Sequence, residues 1–325
     1  MLEHRPTIRR HALVPQELPD AEPIAVEGVS YVRYDVTAPI PAEHTDAEGL
    51  VVWANRDLAA QARQLPQLRF VQGLAAGAEA TLKGDYPEGV AVSGGSGLHD
   101  VTVSEHALAM ILYCVRGLGK CHDAQARHQW KRGVPKPQLN TADSVTTLID
   151  ARVTIWGYGN IGCELAPKLE AFGARVRGLA RSDREEGSVR VYAAGTREEP
   201  SPARNEVLSD TDVLVNILPA SEATKGIFDA GVFAALPARA YVINVGRGAT
   251  VDQAALAQAL RDGEIAGAAL DVTDPEPLPE DSELWDLATL ITPHIAGNRP
   301  VGWEKLLARN LAAFLAGEEI ENRLA

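Results

Sequence analysis

The chain has 325 residues, which at roughly 150 per domain suggests about two domains and ample length for a buried core. Lys and Arg number 31 against 44 Asp and Glu, a formal charge of −13, and so acidic a surface disfavours nucleic acid or an anionic membrane as partner. An apolar fraction of 46% excludes wholesale disorder, and the longest apolar run, Ala107 to Val115, is too short to span a bilayer.

The chain opens on a basic stretch containing Arg5, Arg9 and Arg10 with no apolar segment behind it, which predicts an N-terminal arm rather than a signal peptide. Short β-rich runs then alternate with amphipathic stretches, the pattern of an α/β chain built on parallel sheets. Strands are expected at Val29–Val36, Leu50–Trp53, Leu68–Gly73 and Val90–Val92. A long helix is expected from about Val101 to Cys121, capped by Asp100, with Leu108, Ile111, Leu112 and Val115 as its apolar stripe. The polar segment His122 to Asp143 reads as a surface excursion. The three cysteines, Cys114, Cys121 and Cys163, lack metal-ligand spacing and suit a reducing, cytoplasmic setting without disulfides or structural metal.

From Arg152 the rhythm is regular. Strands are expected at Val153–Trp156, Val176–Ala180, Val213–Leu218, Tyr241–Val245, Ala268–Val272 and Leu290–Thr292. Helices are expected at Ile161–Phe172, Lys225–Leu236 and Gln253–Asp262, which together make a doubly wound domain. A final helix, Gly302 to Leu315, carries Trp303, Leu306, Leu307, Asn310, Leu311 and Phe314 along one side and needs a surface to pack on.

Between the strand Val153–Trp156 and the helix after it stands Gly157-Tyr158-Gly159-Asn160-Ile161-Gly162. In that context Gly157 permits a tight turn, Gly159 lets a pyrophosphate approach the backbone, and Gly162 lets the helix pack closely. The helix that opens at Asn160 and Ile161 turns its N-terminal N–H groups and partial positive charge toward the phosphates. A site for NAD would end the second strand with an acid that binds the ribose hydroxyls. This chain has Ala180 there, followed by Arg181 and Ser182, a pair suited to a 2′-phosphate. The expected cofactor is therefore NADP(H), with NAD(H) possible and Asp183 a complication.

Only one histidine follows the nucleotide loop, His294, just past a strand that runs to the ligand-bearing edge of the sheet. Arg247, between Gly246 and Gly248, ends another such strand, and the flanking glycines leave its guanidinium uncrowded for a two-point grip on a carboxylate. Glu276 lies among prolines after the next strand, and a carboxylate beside an imidazole favours the charged ring and fixes its tautomer.

The segments Asn244 to Asp252, Ala269 to Pro279 and Thr292 to Gly297 resemble, in order and spacing, three signatures of the D-isomer-specific 2-hydroxyacid dehydrogenases. The resemblance implies that Arg247 binds substrate carboxylate and carbonyl, that His294 is the acid/base and that Glu276 pairs with it. It implies further that Asp271 holds the nicotinamide carboxamide, and that Leu218, Pro219, Val245, Gly246, Arg247, His294 and Gly297 line the cofactor. Ala76 and Gly77 correspond to backbone donors for the substrate carboxylate. Trp53 resembles a substrate-loop tryptophan of glyoxylate/hydroxypyruvate reductases, and Glu105 matches a family helix motif. The implied architecture is a Rossmann nucleotide domain, residues 100–297, inserted into a smaller flavodoxin-like substrate domain, residues 1–99 plus 298–325. The implied function is hydride transfer between NADP(H) and a small 2-oxo/2-hydroxy acid, by a cytoplasmic homodimer. A phosphoglycerate-dehydrogenase-like enzyme using NAD and a nucleotide-sensing corepressor-like protein are the alternatives.

Overall fold

A computed structural model describes residues 11–18, 21–132 and 139–325, so most of the basic N-terminal arm and part of the polar excursion lie outside the described residues. The chain divides into two compact units, Met1–His99 with Arg299–Ala325, and Asp100–Asn298.

The first unit is a five-stranded parallel sheet in the order β2-β1-β3-β4-β5, the flavodoxin-like 2-1-3-4-5 winding. Its strands are β1 (His11–Pro15), β2 (Ser30–Tyr34), β3 (Gly49–Val52), β4 (Phe70–Gly73) and β5 (Ala91–Ser93), with short helices α1 (Leu58–Arg63) and α2 (Ala78–Thr81) between them. Successive strand residues alternate between the faces. Val14, Val51 and Phe70 join one core with Trp303, Leu306, Leu307 and Leu311, while Leu13, Leu50 and Val71 join the other with Leu58 and Leu65. The C-terminal helix, Trp303–Ala316, therefore packs on this sheet. Its buried Asn310 bonds Gln72 at 2.8 Å and the Ser93 hydroxyl at 3.0 Å, so the polar member of the stripe is satisfied. The last residues extend the sheet edge, Leu324 N donating to Val92 O.

The second unit begins with α3 (Asp100–Val115) and α4 (Leu118–Ala126) and continues as an eight-stranded sheet. In chain order it adds β6 (Arg152–Trp156), α5 (Asn160–Ala171), β7 (Arg175–Ala180), β8 (Arg184–Glu186), β9 (Val189–Ala193) and α6 (Pro202–Ser209). Then come β10 (Val213–Asn216), α7 (Ala230–Ala235), β11 (Tyr241–Asn244), α8 (Gln253–Asp262), β12 (Gly267–Leu270), α9 (Leu284–Leu287) and β13 (Leu290–Ile291). The strand order is β13-β12-β11-β10-β6-β7-β9-β8, parallel except for β8. The winding reverses between β6 and β10, so the crevice beside β6 is the expected ligand position of a Rossmann sheet.

Two expected helices change. The helix expected over 101–121 is broken: Gly117 adopts φ 60° in the left-handed region, and α3 and α4 meet at 69°. The helix expected from Lys225 shrinks to α7, because Phe228 pairs with Val251 and Asp229 caps the shorter helix through Val232 N. Helix α4 also takes in His122 to Ala126, the start of the segment read as a surface excursion. Among the described residues no single helix is long and apolar enough to cross a membrane.

At the amino edge of this sheet Asp212 is buried and accepts from Arg152 Nε at 2.9 Å and Arg239 Nε at 2.8 Å. Burial pushes its carboxyl upward, but the hydrogen bonds from the two arginines outweigh that and hold it below its ordinary value.

Candidate active site

The nucleotide loop follows β6, whose five residues are almost wholly buried. Gly157 has φ 96°, and a Cβ there would lie 2.8 Å from the Ile217 carbonyl, so only glycine fits. At Gly159 an added Cβ meets nothing nearer than Gly157 O at 3.9 Å. The backbone there faces open space at the N-terminus of the twelve-residue helix α5, where Asn160 is exposed and Ile161 half-buried. A pyrophosphate fits such a cradle, because the helix end supplies unpaired N–H groups and partial positive charge.

Arg181 and Ser182 stand exposed immediately after β7. Asp183 is turned toward β9, its Oδ1 3.8 Å from Arg190 Nη2 and accepting from Ala193 N at 3.4 Å. The acid that complicated a phosphate reading is thus engaged with β9. A further cation comes close: Arg184 donates through Nη2 to the carbonyl of Tyr158 inside the glycine loop. Nothing in the sequence marked Arg184, because only the turn-back of β8 onto β9 brings it to the loop.

The next two strands carry a buried polar network. Asn216 Nδ2 donates to Asn244 Oδ1 at 3.0 Å and to Thr250 Oγ1 at 2.6 Å. In return Asn216 Oδ1 accepts from Leu218 N, and Asn244 Oδ1 accepts from Gly246 N. Both asparagines and Thr250 are fully buried, so the network fixes the turns that hold Leu218, Pro219, Val245 and Gly246. Asn216 and Thr250 were not singled out in the sequence. The glycines beside Arg247 have a backbone reason: a Cβ on Gly246 would lie 2.7 Å from Leu218 O, and one on Gly248 would lie 1.9 Å from Thr273 O. Arg247 is extended and half-buried, and its carbonyl accepts from the Thr250 hydroxyl at 2.7 Å.

On the two following strands the geometry is closest. His294 Nδ1 lies 2.8 Å from Glu276 Oε2, and Glu276 Oε1 accepts from Thr273 N at 3.1 Å. His294 itself has φ 53°, in a region costly for a residue with a side chain. The backbone of Asp271 and Thr292 holds it there, His294 N donating to their carbonyls at 2.8 and 3.0 Å. The buried Asp271 carboxylate accepts from Thr292 Oγ1 at 2.6 Å, Ile295 N at 2.9 Å and Ala296 N at 3.0 Å. Asp271 therefore braces the His294 loop, mostly through Oδ1, while Oδ2 accepts only from Ala296 N and keeps an acceptor site. Asp271, Glu276 and His294 line a cavity of about 590 Å³ with Leu278, Trp285, Ile291 and Pro293.

Along the carboxyl edge the residues follow the strand order. His294 comes after β13, Asp271 and Glu276 after β12, Arg247 after β11, Leu218 after β10, the glycine loop after β6 and Arg181 after β7. At ~4.8 Å per strand, that row suits an extended dinucleotide with its redox end near the acid/base pair.

Of the remaining candidates, Trp53, Ala76 and Gly77 lie in the first unit. Trp53 follows β3, and Ala76 and Gly77 follow the neighbouring β4. Trp53 is half-buried and stacks on His99 with ring centroids 5.6 Å apart. His99 Nε2 in turn lies 2.7 Å from Leu74 O, at the root of the loop bearing Ala76 and Gly77. Glu105 is exposed on α3.

Residues 108–296 match the family model of the NAD binding domain of D-isomer specific 2-hydroxyacid dehydrogenases. A glyoxylate/hydroxypyruvate reductase A from Salmonella paratyphi B is 33% identical over 224 residues, 68% of this chain and 67% of that protein. A D-isomer specific 2-hydroxyacid dehydrogenase family protein from Aeromonas salmonicida superposes with a TM-score of 0.79 at 25% identity, covering 98% of this chain and 99% of the other. A second, from Xanthobacter autotrophicus Py2 and solved in complex with NADPH and MES, gives a TM-score of 0.73 at 28% identity, covering 97% and 98%.

Proposed function

The chain belongs to the D-isomer-specific 2-hydroxyacid dehydrogenase family, and from that premise we propose that it reduces a small 2-oxo acid to the D-2-hydroxy acid with NADPH. The observation that carries the reading is the 2.8 Å contact of His294 with Glu276 at the carboxyl edge of a Rossmann sheet, on the two strands beyond the one that carries Arg247.

NADPH, when bound, supplies the hydride. The chain's own residues do the rest. Arg247 grips the substrate carboxylate and polarises the adjoining carbonyl with its planar, permanently charged fork. Glu276 occupies Nδ1 of His294, which leaves Nε2 as the ring nitrogen that serves the substrate. The charged imidazole then gives its Nε2 proton to the oxygen on which charge develops, a step typically worth ~10²–10⁴ in rate. In the oxidation direction the same nitrogen takes the proton back.

Arg181 and Ser182 receive the 2′-phosphate, supported by the absence of an acid at Ala180 and by the engagement of Asp183 with β9. The cradle at Gly159 and the N-terminus of α5 receive the pyrophosphate. The first unit serves as the substrate domain and the second as the dinucleotide-binding domain, with Ala76, Gly77 and Trp53 contacting substrate. Three free cysteines support a reducing cytosol as its setting, and a homodimer is the expected assembly.

Incubation with NADPH and glyoxylate, hydroxypyruvate, pyruvate or bulkier 2-oxo acids, followed by chiral chromatography, tests the reading. The D-2-hydroxy acid is the expected product from at least one substrate that creates a stereocentre. The L-isomer, or no product from any acid, overturns it.

A further inference from the structure

The acid/base loop, Thr292 to Gly297, is tied to helix α3 at both ends, and those ties lie outside the machinery described above. At its far end Thr102 Oγ1 donates to Gly297 O at 3.1 Å. One turn along the same helix face, His106 Nε2 lies 3.0 Å from Thr292 Oγ1 and 3.4 Å from Asp271 Oδ1.

Proton counting fixes the direction of the His106 contact. The single Thr292 proton goes to Asp271 Oδ1 at 2.6 Å, and Ile295 N fills the same oxygen at 2.9 Å. The Thr292 oxygen is then an acceptor only, so His106 Nε2 carries a proton and donates. The result is a chain, His106 to Thr292 to Asp271, that ends on a carboxylate only 2% exposed. That carboxylate holds Ile295 N and Ala296 N, directly after His294, while the Asp271 carbonyl holds His294 N. His294 keeps φ 53° only while these anchors over-determine it.

We propose that His106 is a positioning residue for the acid/base His294, acting through the Thr292 hydroxyl and the Asp271 carboxylate; this rests on the functional reading above. Without a donor at position 106 the Thr292 hydroxyl is free to turn away from Asp271. The buried carboxylate then loses its shortest bond, and the loop relaxes from the strained backbone that aligns the imidazole with Glu276. A misplacement of that kind lowers the chemical step and leaves the nucleotide cradle, on β6 and α5, untouched.

The test compares His106→Leu, which fills the space without a donor, with His106→Gln, whose amide nitrogen stands near the place of Nε2. For His106→Leu, kcat should fall about ten- to a hundred-fold, with substrate KM, NADPH affinity and melting temperature little changed. His106→Gln should regain most of the lost kcat. In ¹³C-histidine spectra the His294 Cε1–H signal should move in His106→Leu and return in His106→Gln. If His106→Leu does not fold, His106→Asn, with its shorter reach, replaces it in the comparison. A kcat for the donor-less variant near that of the unmutated chain overturns the proposal, as does a loss that glutamine fails to restore. Should the unmutated chain bind NADPH yet reduce no 2-oxo acid, the functional reading falls. The His294 signal then decides the positioning role alone: movement in His106→Leu upholds it, and an unmoved signal overturns it.

Discussion

His294 shows what the site costs at the scale of a residue. An imidazole at φ 53° is held by two backbone hydrogen bonds and faces a carboxylate at 2.8 Å, so strain is retained where proton transfer needs a fixed ring. Arg181 is the opposite kind of residue: exposed and set by nothing more than the end of β7. Its contribution is therefore electrostatic and screened by salt. Arg181→Ala should weaken NADPH binding about ten-fold, the equivalent of ~1.4 kcal/mol, and leave NADH binding almost unchanged. Fluorescence titrations of both cofactors at low and high salt check this, and the preference for NADPH should shrink as salt rises. Equal losses for the two cofactors would make Arg181 a general phosphate contact.

At the scale of elements, what could be read from the sequence was what local pattern dictates. The apolar run before Gly157 and the amphipathic run after it identify strand, loop and helix, because the turn needs glycine and the strand needs burial on both faces. The segments around Arg247, Glu276 and His294 were legible through their resemblance to the family's signatures. Strand β1 was missed because its five residues begin with His11 and end with Pro15 beside a basic stretch. The hairpin β8–β9 was hidden by charge, Arg184, Glu185, Glu186 and Arg190 standing around Val189 and Val191. The Ser201-Pro202 start of α6 was a readable cap that went unused. No local pattern joins His106 to Thr292, which stand 186 positions apart. Asp212 joins strands in the same non-local way, gathering Arg152 and Arg239 at the amino edge. Asp212→Asn should cost about 1.5 kcal/mol at neutral pH, since it removes the buried charge shared by the half-buried Arg152 and Arg239 while Arg152 keeps Asp210 as a partner. The folded carboxyl lies below its ordinary value of 3.8, so its contribution is complete above that pH and fades as pH falls through the folded value. Urea unfolding should show the gap between the two proteins closing in acid. A gap independent of pH would mean that packing, not charge, is lost.

For the whole molecule, two largely parallel sheets are each wound so that their candidate loops fall on carboxyl edges, after β3 and β4 in one unit and after β6, β7, β10, β11, β12 and β13 in the other. The second sheet sets the order of the candidate residues, from the proposed acid/base pair past β13 and β12 to the proposed phosphate corner past β7. As proposed above, this edge performs NADPH-dependent reduction with His294 as the proton donor. Initial rates of NADPH consumption with the panel of 2-oxo acids, for the unmutated chain and for His294→Gln at saturating cofactor, test it most directly. The expected result is turnover by the unmutated chain, a loss of ~10²-fold or more in the variant, and unaltered NADPH binding in both. Equal rates in the two proteins, or NADPH binding without turnover of any acid, would contradict it.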